Sequence, residues 1–193
     1  MPFNLPIFLT WLRVALIPIC VAVFFLPDST LISEHRNILG ATIFALAAVT
    51  DWLDGFLARR LQQTSAFGAF LDPVADKLIV AAALILLVEL NRTEGWMAMI
   101  IIGREIAISA LREWMAEMGN RKSVAVAYIG KLKTTAQMVA ILLLLYAGPL
   151  LPGVDTLWLG NLFMVVAVIL TLWSMAYYLR MAAGEFSGKK IDV

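Results

Sequence analysis

The chain has 193 residues, of which 62% are hydrophobic and 15% charged, and a formal net charge of +1. Soluble domains carry about 25% charged residues, so this composition excludes an ordinary water-soluble fold and makes the bilayer the expected solvent. The small net charge and the lack of a Lys/Arg run exclude nucleic acid as a partner, and the single cysteine, Cys20, excludes an internal disulfide and reads as a small packing residue.

In chain order, the first apolar stretch runs from Pro6 to Leu26 and carries Arg13. At about 20 residues it is long enough to span, and with no basic leader before it, it is expected as a retained helix rather than a cleaved signal. Pro27-Asp28-Ser29 ends it. The second helix, Ile38 to Arg60, carries Asp51, Asp54, Arg59 and Arg60; the third, Ala69 to Leu90, carries Asp72, Asp76 and Lys77. After the turn Asn91 to Gly95, the fourth, Trp96 to Ala116, holds Arg104, Glu105, Arg112 and Glu113. The fifth, Val124 to Tyr146, holds Lys131 and Lys133, and the sixth runs from Leu157 to Met181.

The expected architecture is therefore all-α, a polytopic membrane protein of about six transmembrane helices. It forms a single domain over residues 1–183 with a short cytoplasmic tail, 184–193, and no internal repeat. Six spans place both termini on one side. Arg59, Arg60, Arg112, Arg121, Lys122, Arg180, Lys189 and Lys190 fall on that side against Arg36 and Arg92 opposite, so both termini are expected in the cytoplasm. Trp96, Trp114 and Trp158 suit interfacial anchors, and Trp11, Trp52 and Trp173 are expected to be packed.

Charge inside the spans is the informative feature. Each such group costs about 2.5–3.5 kcal/mol at a helix centre, so all of them must face a polar cavity, expected near the cytoplasmic face. Asp51 and Asp54 are spaced i, i+3, and Asp72 and Asp76 i, i+4, so each pair shares a helix face and the two faces can meet. Converging carboxylates repel unless cations compensate, and an all-oxygen donor set selects a hard divalent cation over zinc. His35, in an outer loop, is an ordinary polar residue. Gly55, Ala58 and Gly68 allow close approach of a phosphorylated ligand, and Arg59 lies near the acidic pair. Taken alone, the four aspartates also fit a proton path in a transporter or an intramembrane aspartyl protease.

Together these residues spell Asp51-x-x-Asp54-Gly55-x-x-Ala58-Arg59, eight residues, then Gly68-x-x-x-Asp72-x-x-x-Asp76. The pattern resembles the signature of the CDP-alcohol phosphotransferases. The resemblance implies Asp51, Asp54 and Asp72 as metal ligands and Asp76 as ligand or general base. It implies Mg²⁺ or Mn²⁺, two per site, and Gly55, Ala58, Arg59, Gly68 and Thr10 around the CDP group. It also implies a homodimer in a bacterial cytoplasmic membrane, with membrane lipids as partners. With no Ser/His or Cys/His arrangement available, direct displacement with inversion at phosphorus is expected rather than a covalent enzyme intermediate.

Arg104, Arg112, Lys131 and Lys133 form a second charged group, with Arg104 and Arg112 about two turns apart on one face. Such cations suit an acceptor bearing a phosphate, although Lys131 and Lys133 point in different directions. Glu105 and Glu113 are expected as orienting partners or exposed charges, and Lys77 as a counter-charge. Gly103-Arg104-Glu105, Ala110-Leu111-Arg112-Glu113-Trp114 and Gly130-Lys131-Leu132-Lys133-Thr134-Thr135-Ala136-Gln137 resemble the branch of the family that uses sn-glycerol 3-phosphate. The implied reaction moves the phosphatidyl group of CDP-diacylglycerol onto that acceptor and releases CMP. Serine, inositol phosphate and phosphatidylglycerol are the alternative acceptors.

Overall fold

The computed structural model describes residues 5–61, 66–117, 127–150 and 153–188. Side chains at 5–7, 52, 54–61, 66–67, 69, 112, 116–117, 127–129, 131 and 181–188 lie outside that description. Six helices follow one another: α1 (Leu5–Phe24), α2 (Ser33–Leu61), α3 (Ala66–Glu89), α4 (Gly95–Glu117), α5 (Ala127–Tyr146) and α6 (Thr156–Gly188), with no strand among the described residues. Each expected helix is present. α2 starts at Ser33 rather than Ile38 because its first turn is polar, with Glu34 favourably placed at the positive end of the helix dipole. α6 continues to Gly188, past the expected end at Met181.

The ends that meet the short loops are capped by local chemistry. At the end of α3, Asn91 takes a left-handed conformation (φ 55°). Its N–H donates to the Val88 carbonyl (3.0 Å) and the Arg92 N–H to the Leu87 carbonyl (2.9 Å), which is the paired bonding of a Schellman stop. At the start of α6, the Asp155 carboxylate accepts from the Leu157 N–H (2.9 Å).

α1 packs against both α2 and α3, which themselves touch little; α5 packs most extensively on α6 and also on α2, and α4 on α6 and α3. Close helix approach is written into two glycines. A Cβ at Gly40 would sit 2.1 Å from the Phe24 ring, and one at Gly160 2.7 Å from Leu144 Cγ.

The interior divides into two halves along the bundle. The half nearer the 25–32, 90–94 and 147–155 loops is apolar, built from Phe24, Phe44, Leu84, Leu87, Ile101, Ile141, Leu144 and Met164. The other half buries Thr10, Arg13, Lys133, Gln137, Thr171 and Ser174. Outside, the pattern is inverted relative to a soluble protein: Phe70, Ile85, Met99 and Ile106 are each more than 60% exposed while Arg13 is 0% exposed. Trp11 and Trp173 belong to that outer surface, which corrects the expectation that they pack inside; an apolar solvent offers aromatic rings a stable place without burial. Trp96 and Trp158 are also exposed, as anchors require.

Among the described residues, one segment, Thr156–Arg180 (25 residues, mean hydropathy 2.1), is by itself long and apolar enough to cross a membrane. Phe8–Phe24 and Leu132–Tyr146 are apolar but shorter. Ionisable residues interrupt the other helices, and these residues build the site.

Candidate active site

Arg13 stands at the centre of the polar half. Its Nη1 lies 2.8 Å from Asp51 Oδ1 and 2.6 Å from Asp76 Oδ1, so carboxylates from α2 and α3 share one guanidinium nitrogen supplied by α1. The arginine side chain is fully buried, whereas Asp51 and Asp76 are 43% and 47% exposed. The acidic pair is thus compensated by a buried cation while its own side chains stay partly exposed. One turn earlier on α1, Thr10 donates to Asp72 Oδ1 at 2.6 Å.

The expected meeting of the two acidic faces thus occurs through α1 rather than by direct packing of α2 on α3. Arg13 has no role assigned from the sequence, although an arginine in an apolar helix is the signal that points to it. Thr10, expected at the nucleotide, donates to Asp72, which ties it to the acidic group. Gly68 is partly buried. The backbones of Asp54, Gly55, Ala58 and Arg59 continue α2, but their side-chain surroundings lie outside the described residues, as do those of Arg112 on α4 and Lys131 on α5.

The donor set suits a hard cation. Asp51, Asp72 and Asp76 present only carboxylate oxygen, and the two half-exposed members face open space. Among the described residues no three potential ligands converge closely enough to enclose a metal. The fourth expected ligand, Asp54, belongs to the part whose side chains are not described.

A second charged group stands on α4 and α5. Lys133 on α5, only 3% exposed, donates to Glu105 Oε1 on α4. Arg104 Nη1 lies 3.4 Å from the same oxygen, its Nη2 donates to Ser174 Oγ on α6 at 3.0 Å, and its guanidinium lies 5.9 Å from the Tyr178 ring centroid. Glu105 is the orienting partner expected from its position. Ser174 and Tyr178 were not expected, because nothing in an apolar helix marks which small hydroxyl will face a cation. Glu113, as expected of a surface charge, is exposed.

Members of both groups line one cavity of about 310 Å³: Asp51, Asp76 and Lys77 from α2 and α3, and Arg104, Glu105 and Lys133 from α4 and α5. A cavity lined by both carboxylates and cations can hold a small anionic molecule with one of its hydroxyls presented to a carboxylate. Its volume lies at the low end for ligand sites and fits a small phosphorylated alcohol rather than a whole lipid.

Comparison with known proteins identifies the family. The family model described as CDP-alcohol phosphatidyltransferase matches residues 3–173. Over 188 residues the chain is 52% identical to proteins named CDP-diacylglycerol–glycerol-3-phosphate 3-phosphatidyltransferase from Salmonella choleraesuis (strain SC-B67) and Escherichia coli (strain K12). Each alignment covers 96% of this chain and 98% of the relative. A match across nearly the whole chain, on a helical bundle that brings Asp51 and Asp76 together, shows that this protein belongs to the CDP-alcohol phosphatidyltransferase family.

Proposed function

We propose that the protein transfers the phosphatidyl group of CDP-diacylglycerol to sn-glycerol 3-phosphate, yielding phosphatidylglycerol phosphate and CMP. The supporting observation is that Asp51 and Asp76 share one cavity with Arg104 and Lys133, so acidic groups and cations suited to a phosphate border the same space. The relatives' names carry the same pair of substrates. Arg104 and Lys133 at this cavity suit an acceptor that bears a phosphate better than one that does not.

Members of this family are generally divalent-metal dependent. Asp51, Asp54, Asp72 and Asp76 would hold Mg²⁺ or Mn²⁺, two ions per site, and the bound cations would neutralise the pyrophosphate and the charge developing on departing CMP. Asp76 is the general base: its carboxylate accepts the proton of the acceptor hydroxyl as that oxygen attacks phosphorus. Arg13 keeps Asp51 and Asp76 in mutual register from the side away from the substrate. Gly55, Ala58, Arg59, Gly68 and Thr10 receive the CDP group, with Thr10 also fixing Asp72. Arg104, Arg112, Lys131 and Lys133 receive the acceptor phosphate, for which the Arg fork and the Lys point charge are suited. Displacement is direct, with inversion at phosphorus.

The apolar exterior and buried charge support a six-span protein of the bacterial cytoplasmic membrane with both termini in the cytoplasm. There the cavity meets a water-soluble acceptor from one side and a lipid from the other. The active form is a homodimer with one site per protomer. The test is to incubate the purified protein with CDP-diacylglycerol, Mg²⁺ and each candidate alcohol separately and to follow CMP. Release with glycerol phosphate and not with serine or inositol phosphate is expected; release with serine alone would overturn the acceptor assignment.

A further inference from the structure

Two side chains that line the cavity each carry a buried polar atom with no hydrogen-bond partner among the described residues. Gln137 on α5 lines the cavity and is only 4% exposed, and its Oε1 has no hydrogen-bond partner among the described residues. Arg104 also lines the cavity, and its Nε is likewise buried without a partner there. One orphan is an acceptor and the other a donor. Buried polar groups are almost always satisfied, so these two describe the ligand that completes the wall. It must accept a hydrogen bond near Arg104 and donate one near Gln137.

A phosphorylated polyol meets both demands, with phosphate oxygen as acceptor and hydroxyl as donor. The placement is favourable too. Gln137 lies one helical turn after Lys133, so the two side chains share a face of α5 and reach neighbouring points in the cavity. A hydroxyl on the carbon next to a phosphate ester lies at that short reach from the phosphate. In sn-glycerol 3-phosphate the less hindered primary hydroxyl is the nucleophile, and the secondary hydroxyl stays free to bond elsewhere.

We infer that Gln137 is a specificity-determining residue. Its Oε1 accepts the hydrogen bond of the acceptor's secondary hydroxyl while the phosphate rests against Lys133 and Arg104. The inference builds on the glycerol phosphate reading above and adds what separates a glycerol phosphate from a simpler alkyl phosphate. A site built to bond a hydroxyl rejects the analogue that lacks it, because its own polar atom is then left buried and unpaired.

The test compares CMP release with two acceptors, sn-glycerol 3-phosphate and 3-hydroxypropyl phosphate, which lacks only the secondary hydroxyl. The wild-type protein is expected to favour the first by about 10- to 100-fold in kcat/KM, the factor that one unsatisfied buried polar group carries. Gln137→Met, which keeps the length but cannot replace the carboxamide oxygen, should bring that ratio close to one with the 3-hydroxypropyl phosphate rate little changed. Gln137→Glu, which retains an acceptor oxygen, should keep the preference. A wild-type ratio near one overturns the inference whether or not the variants fold, since a water then answers Gln137. A preference that survives Gln137→Met in folded protein overturns it as well. Failure of the underlying reading looks different: the wild-type protein would release no CMP with either acceptor.

Discussion

Arg13 Nη1 sits between Asp76 Oδ1 at 2.6 Å and Asp51 Oδ1 at 2.8 Å, so a buried cation from the first helix joins the acids of the second and third. Replacing it by Met removes the positive charge and leaves two carboxylates facing one another. Because both acids are half-exposed, the expected loss of stability is only about 1–3 kcal/mol, below that for a fully buried pair. Activity should fall about 100-fold, since small misplacement of reacting groups is enough for that. Added Mg²⁺ or Mn²⁺ should restore part of the lost stability in thermal unfolding, because it supplies charge at the same acids. An Arg13→Met protein equally destabilised with and without metal would remove Arg13 from the acidic site.

Asp72 is fixed by the Thr10 hydroxyl at 2.6 Å. Asp72→Asn retains the shape of the side chain and loses the charge needed to hold a divalent cation. CMP release should drop more than about 100-fold while thermal unfolding stays near wild type. Chelation with EDTA should silence the wild-type protein, and Mg²⁺ or Mn²⁺ should restore it. Activity that survives exhaustive chelation would contradict the metal assignment.

Lys133 pairs with Glu105 and lines the cavity, and it is proposed to meet the acceptor phosphate. Lys133→Ala should raise KM for glycerol phosphate by about tenfold or more and leave KM for CDP-diacylglycerol within about twofold. Steady-state kinetics with each substrate varied in turn makes the comparison. Equal changes in both constants would move Lys133 from the acceptor site to general support of the bundle.

Away from the cavity, Arg92 ties several helices together. It donates to the Leu144 and Leu145 carbonyls at 2.9 and 2.8 Å and to Asn37 Oδ1 at 2.6 Å. It also lies 5.6 Å from the Phe24 ring centroid. Its own carbonyl accepts from Asn161 Nδ2 at 2.9 Å. Arg92→Ala should lower stability by about 2–4 kcal/mol through the carbonyls left unanswered, with kcat unchanged at a temperature where the variant is folded. Thermal unfolding and kinetics on the same sample separate the two effects. A loss of kcat without loss of stability would contradict this structural role.

The six helices and both charged groups were legible in the sequence because apolar stretches mark the helices and an ionisable residue inside one can be tolerated only at a polar cavity. The partners were less legible. That Arg13 meets Asp51 and Asp76 depends on α1 lying across α2 and α3, a relation between distant segments that spacing within a helix cannot supply. The same holds for Arg104 with Ser174, and for Lys133 with Glu105. Trp11 and Trp173 were misplaced because hydrophobicity does not distinguish a lipid-facing side from a packed one. The polar first turn of α2 escaped a search for apolar stretches, which stops where Arg36 and Asn37 begin.

In the proposed reaction the nucleotide lipid and a phosphorylated acceptor react at one cavity. This is tested most directly by following both products at once, with purified protein in vesicles containing CDP-diacylglycerol, Mg²⁺ and radiolabelled sn-glycerol 3-phosphate. The expected result is label appearing in the lipid phase in step with CMP, one for one, and neither product when either substrate or the metal is omitted. CMP released without labelled lipid, or label carried into vesicles without nucleotide release, would contradict it.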